Sequence, residues 1–264
     1  MDISAEMVAR FNDLQSKLVS GNASDIELNE ALKIAEQLMS ITGETYNIIS
    51  KRYAHIRGEE PNEGDKKDFE RLLSLAREKV KLGLLGDKLG CLYLLDVGTG
   101  SGRDIKFATK FSDLKIIGID NSDSFIQLLK NLESNKEIPK GCFVKADMRD
   151  LSYFSDGHFD IVRNNASLVH LPIIKKGYMA DLAISECHRV LKNNGIIYLL
   201  VKEGVGTEFI DTEEGLGRRF YQLFTEESIR ELVNRNGFIN TITWKRRSSR
   251  NENIKWIALI AEKI

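Results

Sequence analysis

The chain of 264 residues is short of several things. It has three cysteines, Cys91, Cys142 and Cys187, an odd number with no pair at metal-ligand or redox spacing. That argues against a disulfide framework and for a reducing compartment. Neither sign of charge is in excess: 38 Lys and Arg stand against 39 Asp and Glu, a formal net charge of −1. Proteins that grip nucleic acid through its phosphates need a basic surplus, so the balance argues against that class, a local patch aside. No run approaches the ~20 consecutive apolar residues of a membrane helix. The opening, MDISAEMVARF, has acids where a secretory leader has basic residues. A cytoplasmic protein without a membrane span is the expectation. Four scattered histidines, His55, His158, His170 and His188, give no metal site.

What is present suffices for a full core: 42% of the residues are hydrophobic and 29% charged, as in ordinary globular chains. Apolar residues at helical spacing predict helices around 7–18, 26–38 and 46–53, the last opened by Thr42 and Glu44. A polar, turn-rich stretch follows over 57–64, then a fourth helix from about Lys66 to Leu82. Residues 1–85 are assigned to an N-terminal helical cap and 86–264 to a second domain.

At Cys91 the pattern changes. Short apolar runs over 92–97, 115–119, 142–146, 159–162 and 195–201 alternate with helical stretches over 104–111, 122–135 and 173–191. Strands apolar on both faces, alternating with helices, imply a parallel sheet covered on both sides. After a helix at 225–236, the runs 238–244 and 255–261 leave no room for a crossover, so they predict an antiparallel hairpin. The expected fold is α/β: a seven-stranded, mostly parallel Rossmann-like sheet with an antiparallel C-terminal strand, plus the helical cap. Ligands of such sheets bind where the strands end. The segment Lys202–Tyr221, with four glycines, reads as a long mobile loop at that edge, a lid or substrate wall. Arg218 and Arg219 within it are candidates for an acceptor carboxylate or phosphate, or else a solvated pair or partners of Glu213 and Glu214.

Three signals carry chemistry. Strand 92–97 runs into Gly98-Thr-Gly-Ser-Gly102 and then a helix, a turn whose glycines let a ligand approach the backbone. Asp120 ends the next strand about 20 residues on, where a carboxylate suits a ribose diol. Asp147 and Met148 follow the third strand, so Asp96, Asp120 and Asp147 end three consecutive strands. Each has a plainer alternative, a ligand-free turn or an acid that caps a helix.

Together these motifs make residues 91–264 resemble the class I S-adenosylmethionine-dependent methyltransferases. The resemblance rests on Asp96-Val-Gly-Thr-Gly-Ser-Gly102, Asp120, Ala146-Asp-Met148, the segment Phe159–His170 and the terminal hairpin. It departs from the family at Asn194-Gly195, where Pro-Gly is usual. It implies S-adenosylmethionine as cofactor, held by Asp96, Gly98, Thr99, Gly100, Gly102, Asp120, Asn121, Asp147 and Met148, with Asn164 and Asn165 beside the methionyl group. It also implies that Tyr46, or Tyr53, closes over the cofactor from the cap, unless these rings only pack the core. His170 is the candidate general base, or else a residue that orders its loop. No metal is implied. The implied acceptor is an oxygen or nitrogen (hydroxyl, carboxylate or amine) of a small molecule or short peptide, acted on by a monomer or homodimer. An RNA methyltransferase and a non-catalytic binding module are the alternatives.

Overall fold

The computed structural model describes residues 5–211 and 215–264. Glu213 and Glu214, considered above as partners for the two arginines, lie outside the described residues. Helices α1 (Ala5–Val19) and α2 (Asp25–Arg57) share a small core of Phe11, Leu14, Ala31, Ile34 and Leu38. Ser24 and Glu27 close a capping box at the start of α2. The two predicted helices within 26–53 are one helix of 33 residues. Thr42 does not open a new one: its hydroxyl donates to the Leu38 carbonyl one turn back, 2.8 Å away. Gly43 weakens a helix interior by only about 1 kcal/mol, less than burial on both sides contributes.

Helix α3 (Glu63–Lys81) lies against the sheet, with Phe69, Leu72, Leu73 and Ala76 packed on Leu92, Leu94 and Ile161. It is a layer of the α/β sandwich, and α1 and α2 stand over the sheet's edge. The sheet comprises β1 (Leu92–Val97), β2 (Leu114–Asp120), β3 (Phe143–Lys145), β4 (Phe159–Asn165), β5 (Leu191–Lys202), β8 (Phe238–Arg247) and β9 (Lys255–Lys263). Its order is β3-β2-β1-β4-β5-β9-β8. The first five strands are parallel, and β9 runs antiparallel between β5 and β8. Helices α4 (Arg103–Ala108), α5 (Asp123–Ser134), α6 (Ala180–Val190) and α7 (Glu226–Arg235) complete the layers. No helix among the described residues is long and apolar enough to cross a membrane.

Two further expectations are corrected. The helix expected over 173–191 begins only at Ala180, because Gly177 and Met179 both take positive φ. The segment expected as a mobile loop contains an antiparallel ribbon, β6 (Thr207–Ile210) with β7 (Arg219–Gln222). That ribbon is fastened to the cap. The Asn12 side chain accepts from the Thr207 backbone N–H (3.1 Å), Gln15 donates to Gln222 (2.6 Å), and Thr42 accepts from the Phe220 N–H (3.0 Å).

Under the sheet's ligand edge sits a buried ion triad. Arg163, in β4 and 1% exposed, donates to Asp96 in β1 (2.8 Å) and to Asp104 in α4 (3.1 Å). Removing the cation leaves the buried Asp96 carboxylate without its cation, while Asp104 keeps Arg103 at 3.3 Å; breaking such a buried pair costs about 3–5 kcal/mol. Arg163→Met is therefore expected to lower the urea midpoint by that much free energy. A loss below about 1 kcal/mol would show that the triad does not hold the strands.

Candidate active site

The three glycines after β1 all have positive φ, but each answers to a different neighbour. A Cβ on Gly98 would lie 2.3 Å from that of Ser167, whose hydroxyl donates to the Val97 carbonyl at 2.7 Å. A Cβ on Gly102 would strike Leu129 of α5 at 2.5 Å. Gly100 alone faces open space, with Phe125 as its nearest neighbour at 4.0 Å. Gly98 and Gly102 thus let elements pack, but Gly98 also borders, with Gly100, the cavity at the strand ends, which Gly102 does not. Thr99 is buried under the loop, where Gly118 makes room for its side chain.

Gly100 opens into a cavity between the strand ends and α2. Asp120, Asn121, Asp147, Met148, Asn165 and His170 border it from the sheet side, and Tyr46 and Tyr53 from α2. The Asp120 carboxylate accepts from the N–H groups of Gly100 and Ser122, each at 2.9 Å. Burial nevertheless raises its pKa to about 6. Asp147 is clasped by Arg149, whose Nη1 continues to Glu36 of α2 at 2.9 Å. Asn165 has a buried Oδ1 without a hydrogen-bond partner. Asp96 and Asn164 are turned away: Asp96 serves Arg163, and Asn164 Oδ1 accepts from the Leu168 N–H (2.8 Å), holding the turn after β4.

His170 is fixed at both ring nitrogens. Nδ1 lies 2.7 Å from the Phe220 carbonyl, which can only accept, so Nδ1 carries the proton. Nε2 then accepts from the Tyr46 hydroxyl at 2.8 Å. Burial pushes the imidazole down to about 4, so it is neutral at physiological pH. Arg219 does not border the cavity. Its buried guanidinium lies behind it, over the rings of Tyr46 and Tyr221 at 5.4 and 5.9 Å. Arg218 donates to the Phe209 carbonyl at 3.0 Å, also off the cavity. Met39, Thr42, Gly43 and Phe125 border it too and were not singled out from the sequence. The signal for the first three was there: 39, 42, 43, 46 and 53 share one face of a helix.

This donor set suits S-adenosylmethionine. Asp120 offers acceptors to a ribose diol, the orphaned Asn165 oxygen offers one to an ammonium group, and Gly100 leaves the space a Cβ would fill. Residues 95–199 match the family described as a methyltransferase domain. The chain carries a class I S-adenosylmethionine-dependent methyltransferase domain. Among proteins similar to it is the sterol 24-C-methyltransferase of Aspergillus fumigatus, 31% identical over 136 residues. That match covers 51% of this chain and 33% of the relative, so the chain spans about a third of the length of the curated relative it matches. Two solved structures share the methyltransferase fold. An S-adenosylmethionine-dependent methyltransferase of Methanosarcina mazei has a TM-score of 0.54 and 22% identity, over 66% of this chain and 93% of its own. The [4+2]-cyclase SpnF has a TM-score of 0.56 and 19% identity, over 86% and 96%.

The raised Asp120 pKa gives the methyltransferase domain two opposite pH responses. A raised folded-state pKa adds stability that is full below the ordinary carboxylate value and is lost as pH rises through about 6. Cofactor binding needs the ionised acceptor, so affinity for S-adenosylmethionine should fall below pH 6 by up to about tenfold per unit. Calorimetric titrations between pH 5 and 8 are expected to show this slope in the native protein and a flat, weak profile in Asp120→Asn. Parallel profiles in the two proteins would remove Asp120 from the cofactor site.

Proposed function

We propose that the chain is an enzyme that transfers the methyl group of S-adenosylmethionine to a carbon atom of a small molecule. The observation that carries this reading is the neutral His170–Tyr46 pair at the cavity wall. When bound, the cofactor supplies a methyl already activated on a sulfonium, so the protein needs neither a covalent nucleophile nor a metal. Its own tasks are to orient the acceptor, exclude water and dispose of a proton.

The proton separates the acceptor classes. A carboxylate loses none on methylation. A hydroxyl holds its proton tightly and calls for a base stronger than an imidazole pushed down to about 4. An alkene carbon differs. Its π electrons form the new C–CH3 bond, the old C–S electrons stay on sulfur, and the adjacent carbon is left cationic. Such a cation surrenders a proton to a weak base. Tyr46 can take it while passing its own proton to His170 Nε2, with Nδ1–H held on the Phe220 carbonyl. The activity of the Aspergillus relative, at carbon 24 of a sterol, supports carbon where the sequence favours oxygen or nitrogen. The cyclase with this fold shows that fold alone does not decide the reaction, which keeps the proposal anchored to the site.

With an alkene acceptor found by screening, Tyr46→Phe and His170→Gln are each expected to lower kcat about a hundredfold. Affinity for S-adenosylhomocysteine should stay within a few-fold of native. Loss of cofactor binding in step with kcat would make both residues mere walls of the cavity. Turnover of hydroxyl acceptors but no alkenes would replace carbon by oxygen.

A further inference from the structure

The proton on His170 is held by one backbone carbonyl, and that carbonyl is itself held from α2. It belongs to Phe220 of β7 and lies 2.7 Å from His170 Nδ1. The N–H of the same residue donates to the Thr42 hydroxyl at 3.0 Å. β7 pairs with β6 alone, so its other edge has no strand beside it. At Phe220 two side chains, Thr42 and His170, stand in for that missing strand.

Thr42 is suited to the task. Its hydroxyl has one hydrogen, which goes to the Leu38 carbonyl at 2.8 Å. Toward β7 it can therefore only accept. Thr42 is 3% and Phe220 0% exposed, so bulk water does not reach this contact. A buried N–H that loses its acceptor carries its full desolvation penalty, so the strand would shift to find another.

The contacts close a circuit. Thr42 binds Phe220, Phe220 binds His170, and His170 binds Tyr46. Tyr46 leads back to Thr42 through one turn of α2. The residues flanking Phe220 touch the same pair: the Arg219 guanidinium lies 5.4 Å over the Tyr46 ring, and the Tyr221 ring 5.0 Å from that of His170. A displacement of β7 is thus felt at Tyr46 and His170 together.

The direction of the Tyr46–His170 bond depends on this circuit. With the proton on Nδ1, Nε2 accepts from the phenol. If the Phe220 carbonyl withdraws, the Nε2–H tautomer competes. Nε2 then donates to the phenol oxygen and is unable to receive its proton.

We propose that Thr42 is a positioning residue: by fixing Phe220 it holds His170 in the Nδ1–H form that lets Nε2 receive a proton from Tyr46. Its consequence for turnover rests on the proposed proton relay. The tautomer itself does not depend on which acceptor is methylated.

Nitrogen NMR of the full chain, isotope-labelled at histidine and free of ligand at neutral pH, reads the tautomer directly, with His170→Gln to assign the signals. The native protein is expected to show a protonated Nδ1 and an unprotonated Nε2. Thr42→Ser keeps the hydroxyl and should leave both shifts in place. Thr42→Val and Thr42→Ala should each draw the two shifts toward one another by about a fifth of their separation or more, as tautomers mix. Asn12→Ala is the control. It frees β6 from α1, where Asn12 accepts from the Thr207 N–H and hydroxyl, and leaves both bonds of Phe220 intact. A native backbone amide spectrum certifies the fold of each variant. An Nε2–H tautomer in the native protein overturns the proposal, as do unmoved shifts in both Val and Ala variants. An equal movement in Asn12→Ala overturns it too, by making the effect a general loosening of the ribbon. The spectra need neither cofactor nor acceptor, so a failure of the methyltransferase reading would appear elsewhere, as absent S-adenosylmethionine binding.

Discussion

The ion triad of Arg163 with Asp96 and Asp104 is the constraint from which the ligand edge is built. It ties the middle of β4 to the end of β1 and to the first turn of α4, the two elements that the glycine loop joins. With both ends of that loop held, its backbone is committed to one path, and Gly100 is presented to the cavity without help from a ligand. The arrangement also ranks the acids at the strand ends. Asp96 is consumed by the triad, Asp147 is held by Arg149, and Asp120 alone meets only backbone donors on the protein side.

A second charge network extends this frame outward. Asp65 of α3 accepts from Arg103 at the start of α4 and from Arg246 of β8, at 3.1 and 3.0 Å. Asp68, one turn further along α3, takes the Tyr198 hydroxyl at 2.7 Å and the Trp244 indole at 3.1 Å. Helix α3 is thus bound to the sheet by polar contacts as well as by its apolar face. Buried charges of this kind add little net stability compared with apolar packing, but they penalise any misalignment of the strands they connect.

The sheet was legible in the sequence because its strands are short, apolar on both faces and punctuated by turns; β4 is buried at six of its seven positions. The glycine loop and Asp120 were legible for the same local reason. What was not legible is what depends on partners distant in the chain. Asp96 looks like a ligand-facing acid until Arg163, 67 residues away, is placed beside it. Nothing near His170 announces Tyr46, 124 residues earlier. Thr42 and Glu44 imitate a helix start so well that one long helix reads as two. Lys202–Tyr221 reads as a loose loop because the side chains that fasten it, Asn12, Gln15 and Thr42, all belong to the cap.

The wall that Tyr46 and His170 form stands between two chambers, the cavity at Gly100 and a neighbouring one bordered by Tyr221 and Trp256. Its position is set jointly by α2, through Tyr46, and by the ribbon, through the Phe220 carbonyl. Whatever occupies one chamber therefore fixes a boundary of the other, and the resulting coupling is mutual: a first ligand that steadies this wall favours the second by the same factor that the second favours the first. A ligand on either side that shifts this hydrogen bond shifts the wall that the other side presents.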